Sequence, residues 1–166
     1  MSQLVSRGRL LVVDDEVELL RALCEALAEA GFAVQSLSDP TRVPAAVRAG
    51  AFDVLLIDLL MPDLDGIQLF REVRGIDPAL IGVIMTGQGT NATSVEAMRA
   101  GAFEYLLKPF RLKTVLSALD RAMYACRLGR ENACRGVRGR EIAFEFPGSQ
   151  SDGHSSALHK VRPRIE

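Results

Sequence analysis

Four blocks of apolar residues each run into a polar residue suited to phosphate or metal chemistry. Leu10-Leu-Val-Val13 ends in Asp14-Asp15, Val54-Leu-Leu-Ile57 in Asp58, Leu80-Ile-Gly-Val-Ile-Met85 in Thr86-Gly87, and Tyr105-Leu-Leu107 in Lys108-Pro109. Short continuous apolar runs bounded by charge and turn residues are the pattern of strands covered on both faces. Phe32 to Leu37 reads as a further strand between the first two blocks. Between the strands the period becomes helical. Val17, Leu20, Leu23, Cys24 and Leu27 share one face of a first helix, and Gly31 supplies its stop. Ser38-Asp39-Pro40 opens a second helix, which Pro44 makes short or late and Gly50 ends. After a Met61–Gly66 turn, Asp65 caps a third through Ile67, Leu69, Phe70 and Val73, closing near Gly75. The loop Gly87–Asn91 leads into a fourth, less apolar helix marked by Val95, Ala97, Met98 and Ala102 around the breaker Gly101, and shallow burial there would make it a moving part. A fifth opens after Pro109-Phe110 with the stripe Leu112, Val115, Leu116, Leu119, Met123 and Cys126.

Five strands alternating with five helices call for a parallel sheet with helices on both faces. In such a sheet the carboxyl ends of the strands share one edge, where ligands bind. One pocket is therefore expected to hold Asp14, Asp15, Asp58, Thr86 and Lys108. Taken singly, each of these residues also reads as an ordinary cap, turn residue or surface charge. Their coincidence at four strand ends favours a site. Like charges about 4 Å apart repel by roughly 4 kcal/mol at an effective dielectric of about 20, so clustered carboxylates need a cation or raised pKa values. Magnesium, a hard ion that takes carboxylate and phosphate oxygens, meets that need.

The 166 residues allow one compact domain with an appendage, and 48% hydrophobic with 25% charged residues is an ordinary globular composition. A net charge of −1 points to neither nucleic acid nor an acidic substrate as partner. The N-terminus lacks an apolar signal region and no run is long enough to span a membrane, which places the protein in the cytoplasm without membrane contact. Cys24, Cys126 and Cys134 lack the pairing or spacing of a disulfide framework or zinc site, and Cys24 reads as core packing. From Arg127 the period is lost among arginines, glycines and serines. Residues 127–166 are expected to form a basic tail, helical at most at its start and otherwise irregular or disordered, and nothing is assigned to His154 or His159.

The pieces Val12-Val-Asp-Asp-Glu16, Leu56-Ile-Asp58-Leu-Leu-Met-Pro62-Asp-Leu-Asp-Gly66, Met85-Thr86-Gly87, Gly101-Ala-Phe-Glu-Tyr105 and Leu107-Lys-Pro-Phe110 together resemble the receiver domain of two-component response regulators. The resemblance covers roughly residues 8–126, with 1–7 as an N-terminal extension. It implies a flavodoxin-like, doubly wound α/β fold with strand order 2-1-3-4-5. It also implies that Asp58 is the phosphoacceptor and that Asp14, Asp15 and Asp58, with the backbone carbonyl of Leu60, hold Mg2+. By the same resemblance Lys108 is the cation on the phosphoryl group, Thr86 the switch hydroxyl and Tyr105 the switch aromatic, and the Lys108-Pro109 bond is cis. The phosphoryl group would come from a histidine kinase or a histidine phosphotransfer protein, and the fourth helix, fifth strand and fifth helix would carry the change to a protein partner.

Leu59, Leu60 and Gln88 depart from the family pattern beside the phosphoryl pocket, and the apolar Leu60 points to slow to moderate dephosphorylation. Rather than an enzyme in the usual sense, the expectation is a switch with slow self-hydrolysis. A phosphatase of the haloacid dehalogenase type wants a second Asp two positions after the first, where Leu60 stands, and a flavin carrier would place Asp14-Asp15 against its own phosphate. A receiver with an irregular tail is favoured over a module of a larger hybrid kinase or regulator. A helical extension past Cys126 leaves a homodimer open.

Overall fold

The structure is a computed structural model and describes residues 6–135. Ten principal elements follow in order: β1 (Arg9–Val13), α1 (Val17–Glu29), β2 (Ala33–Leu37), α2 (Val43–Ala49), β3 (Val54–Asp58), α3 (Gly66–Ile76), β4 (Ile81–Thr86), α4 (Asn91–Arg99), β5 (Glu104–Leu107) and α5 (Leu112–Arg135). The strands form one sheet in the order β2-β1-β3-β4-β5, every neighbouring pair parallel. This is the doubly wound arrangement expected from the alternation.

Side chains alternate across each strand, so one apolar run feeds two cores. Leu11, Val13, Leu55, Ile57 and Ile84 face α2, α3 and α4 through Val47, Phe70, Val73 and Ala97. Leu10, Val12, Leu56, Val83 and Met85 face α1 and α5 through Leu23, Leu27, Leu119 and Ala122. All five residues of β3 are buried, which is why its sequence shows no polar alternation.

Local chemistry sets the helix ends. Asp39 accepts from the Thr41 backbone N–H at the head of a 3-10 turn, Pro40–Arg42, that hands over to α2. Asp65 accepts from the N–H groups of Ile67 and Gln68 and caps α3. Gly66 lets α3 begin against the end of β3, because a Cβ there would lie 2.7 Å from the Leu59 Cα. Thr90 and Thr93 close a reciprocal capping box on α4.

Three expectations change. Val17 lies at the first turn of α1, exposed rather than in the core stripe. The segment after Asp58 is more ordered than a plain turn: Leu60–Met61 pairs antiparallel with Leu64–Asp65 across Asp63, whose φ is 60°. Leu112, expected in the apolar stripe of the fifth helix, is exposed at its start, while the helix itself runs past Cys126 to Arg135, the helical start expected of residues 127–166. Arg130 on that extension reaches back to the buried carboxylate of Asp53 at 2.5 Å. The expected irregular part of the tail from residue 136, with both histidines, lies outside the described residues. Among the described residues no helix is long and apolar enough to cross a membrane.

Candidate functional site

The carboxyl ends of β1, β3, β4 and β5 meet at one edge of the sheet. Asp14 follows β1 directly, Asp58 closes β3 and Thr86 closes β4. Lys108 follows β5, and its N–H donates to the Thr86 carbonyl at 2.8 Å. The Lys108-Pro109 bond is cis.

Asp14 and Asp58 are buried, and each commits one oxygen to the backbone. Asp14 Oδ1 accepts from the Glu16 N–H at 2.9 Å and Asp58 Oδ1 from the Leu60 N–H at 2.9 Å. Their remaining oxygens converge on one ammonium: Lys108 Nζ donates to Asp14 Oδ2 at 2.6 Å and to Asp58 Oδ2 at 2.8 Å. Burial by itself would push the Lys108 pKa down, but hydrogen bonds and charge from Asp14 and Asp58 outweigh it and hold the ammonium above its usual value.

The third carboxylate at this centre is Glu16. Oxygens of Asp14, Glu16 and Asp58 lie within 4.8 Å of one another, and Glu16 Oε1 is 3.7 Å from Lys108 Nζ. Asp15, expected in the pocket, stands outside this group. The chain bends at Asp15, and the Glu16 N–H turns back onto Asp14 Oδ1, so the strand has already ended there.

Two buried carboxylates with a third at the rim, around a seat already filled by a cationic group, suit a divalent hard cation. Leu60, expected to lend its carbonyl, is exposed beside Asp58. Thr86 is buried, and its hydroxyl engages Gln88, receiving from that residue's N–H at 3.3 Å. Tyr105 is half-buried, its hydroxyl 3.2 Å from Thr93 Oγ1 on α4. Neither Thr86 nor Tyr105 hydrogen-bonds the acidic centre. An open cleft of about 410 Å³, lined by Glu16, Leu19, Gly87, Lys108, Pro109 and Phe110, leads to it.

Fold and site together define an open parallel α/β domain whose carboxyl edge gathers two buried aspartates on one lysine. The family model of the response regulator receiver domain matches residues 10–120. The chain belongs to that family: it is a two-component response regulator receiver, a phosphorylation-dependent switch. It is 36% identical over 119 residues to the DNA-binding transcriptional regulator NtrC of Azospirillum brasilense, covering 72% of this chain and 25% of that protein. It is 32% identical to the C4-dicarboxylate transport transcriptional regulatory protein DctD of Rhizobium meliloti, covering 93% of this chain and 33% of that one. The chain thus spans about a quarter to a third of these relatives. Among solved structures it is similar to the beryllofluoride-activated NtrC4 receiver domain dimer, with 30% identity and a TM-score of 0.68, covering 71% of this chain and 98% of that chain.

Proposed function

We propose that Asp58 is the phosphoacceptor and that a histidine kinase or histidine phosphotransfer protein is the donor. The observation that carries this reading is the lysine bridge: the free oxygens of two buried carboxylates both rest on Lys108 Nζ, at 2.6 and 2.8 Å. In the reaction an Asp58 oxygen attacks phosphorus, the bond from phosphorus to the donor breaks, and the donor leaves with that electron pair. Lys108 then pairs with a phosphoryl oxygen, and the backbone at Thr86 adds N–H groups to it. Asp14, Asp15, Asp58 and the Leu60 carbonyl would hold Mg2+, with Glu16 at the rim. Bound magnesium would neutralise charge on the phosphoryl oxygens.

The added charge of about −1.5 to −2 at Asp58 draws the Thr86 hydroxyl from Gln88 toward the phosphoryl group, and Tyr105 leaves Thr93 to follow it. This alters the face of α4, β5 and α5, which contacts a protein target. Moving such an equilibrium from 1:99 to 99:1 takes about 5.5 kcal/mol, within reach of several charge-assisted hydrogen bonds. Slow self-hydrolysis resets the switch. The protein acts in the cytoplasm, without nucleic acid as a direct partner of residues 8–126, and the α5 extension offers a surface for a homodimer.

The test is incubation with acetyl phosphate and Mg2+ followed by intact-mass measurement. A stable gain of one phosphoryl group that disappears in Asp58→Asn is expected. A gain that persists in the variant refutes the assignment.

A further inference from the structure

We infer that Glu16 is a positioning residue for Lys108, the second seat for its ammonium when a divalent cation takes the place between Asp14 and Asp58. The inference rests on the proposed magnesium site and goes beyond it, since neither the expected ligand set nor the expected switch residues include Glu16.

Competition for the same charge is written into the hydrogen bonds. Asp14 and Asp58 each give Oδ1 to a backbone N–H and Oδ2 to Lys108, so the ammonium stands where the charge of the two carboxylates converges. A divalent cation drawn to the same place competes with the ammonium for that charge. The lysine backbone is fixed to the Thr86 carbonyl, so the side chain makes the move.

Its destinations are few. Among the described residues, Asp14, Asp58 and Glu16 are the carboxylates within 4.0 Å of Lys108 Nζ. The Thr86 hydroxyl is occupied with Gln88. Glu16 Oε1, at 3.7 Å, is one small rotation away from a charge-assisted bond. Glu16 is also free to accept it. Its side chain is 64% exposed and makes no capping bond at the head of α1, so turning toward Lys108 breaks no bond there and needs little desolvation. With Glu16 neutralised, the displaced ammonium has no counter-charge and remains near the incoming cation.

The test is a double-mutant cycle on Mg2+ affinity, read by 1H–15N NMR titration of the full chain with Mg2+ alone. Glu16→Gln is expected to weaken binding by up to about fivefold, the upper end for an exposed ion pair. Lys108→Ala should tighten it by removing the competitor, and in that background the loss from Glu16→Gln should be clearly smaller, because only its direct attraction for the cation is left. An equal loss in both backgrounds would mean that Glu16 acts on the cation itself and would overturn the inference. No loss in either would make Glu16 a solvated charge and would overturn it as well. Failure of the wild-type chain to bind Mg2+ would refute the metal site and this inference together, whereas normal binding without phosphoryl gain would refute the phosphoacceptor reading alone.

Discussion

Replacing Gly82 by alanine tests whether the packing that positions α3 against the sheet is as tight as the geometry requires. Gly82 sits inside β4, and a Cβ built on it would fall 2.0 Å from Cε2 and 2.4 Å from Cζ of Phe70. Carbon atoms pack at about 3.5–4.0 Å, so the ring would have to retreat by roughly 1.5 Å. It has no room: Phe70 is fully buried, in the same core as Leu55, Ile57, Val73 and Ile84. Overpacking of this kind costs about 1–3 kcal/mol, and the immobile ring puts Gly82→Ala near the top of that range. The reduced freedom of the unfolded chain returns about 0.4–1 kcal/mol, leaving a net loss of roughly 2 kcal/mol. For a domain of this size that lowers the thermal midpoint by about 6–8 °C. Calorimetry of Gly82→Ala measures the loss, and Phe70→Leu in the same chain should recover part of it by vacating the space. A midpoint within about 2 °C of wild type, or no coupling between the two substitutions, would refute the reasoning.

Two further predictions concern charge. Lys108→Met leaves Asp14 and Asp58 buried without their cation, at a cost of up to about 3–5 kcal/mol in chemical denaturation without metal, and saturating Mg2+ should restore much of it. Because the folded lysine pKa is raised, its contribution is complete below the unfolded value of 10.5 and is lost as pH climbs through the higher folded value. The gap between wild type and Lys108→Met should therefore be constant from about pH 7 to about 9.5 and close only at more alkaline pH. Arg130→Gln removes the partner that the α5 extension offers to Asp53, and should lower the opening free energy of residues 127–135 by about 1 kcal/mol in amide hydrogen exchange, whereas Arg127→Gln should not. Equal protection in all three chains would show that the pair does not hold the helix end.

The site is legible in the sequence because buried parallel strands write themselves as unbroken apolar runs. Their last residues therefore stand out, and Asp14, Asp58, Thr86 and Lys108 are each marked by the end of such a run. Glu16 escapes because nothing apolar marks it; its placement depends on the bend at Asp15 between β1 and α1. A helical start to residues 127–166 is legible, but where α5 ends is not, for a related reason. After Val115, Leu119, Met123 and Cys126, the next position on the buried face is Arg130, which docks by charge, so the apolar pattern stops while the helix goes on. Cys24, whose spacing places it in the packing of α1, is half-buried against the α1 and α5 core, where burial raises its thiol to about 11.

Both ends of β3 carry a buried carboxylate, and their partners explain why only one end suits chemistry. Asp53, just before the strand, accepts from the Arg9 N–H at 2.7 Å and from Arg130. A backbone amide cannot leave, and a guanidinium keeps its charge at any physiological pH and binds in a fixed fork. That end ties β1, β3 and α5 together by contacts that a change of pH in the physiological range does not break. Asp58 at the other end takes a compact ammonium on a flexible stem, the partner that the proposed function exchanges for a metal ion or turns onto a phosphoryl oxygen. The five buried residues of β3 keep the two ends in one rigid strand, so under the proposed function a change of partner at Asp58 is expected to be taken up in the loops and helices around it, with the lightly buried α4 first among them.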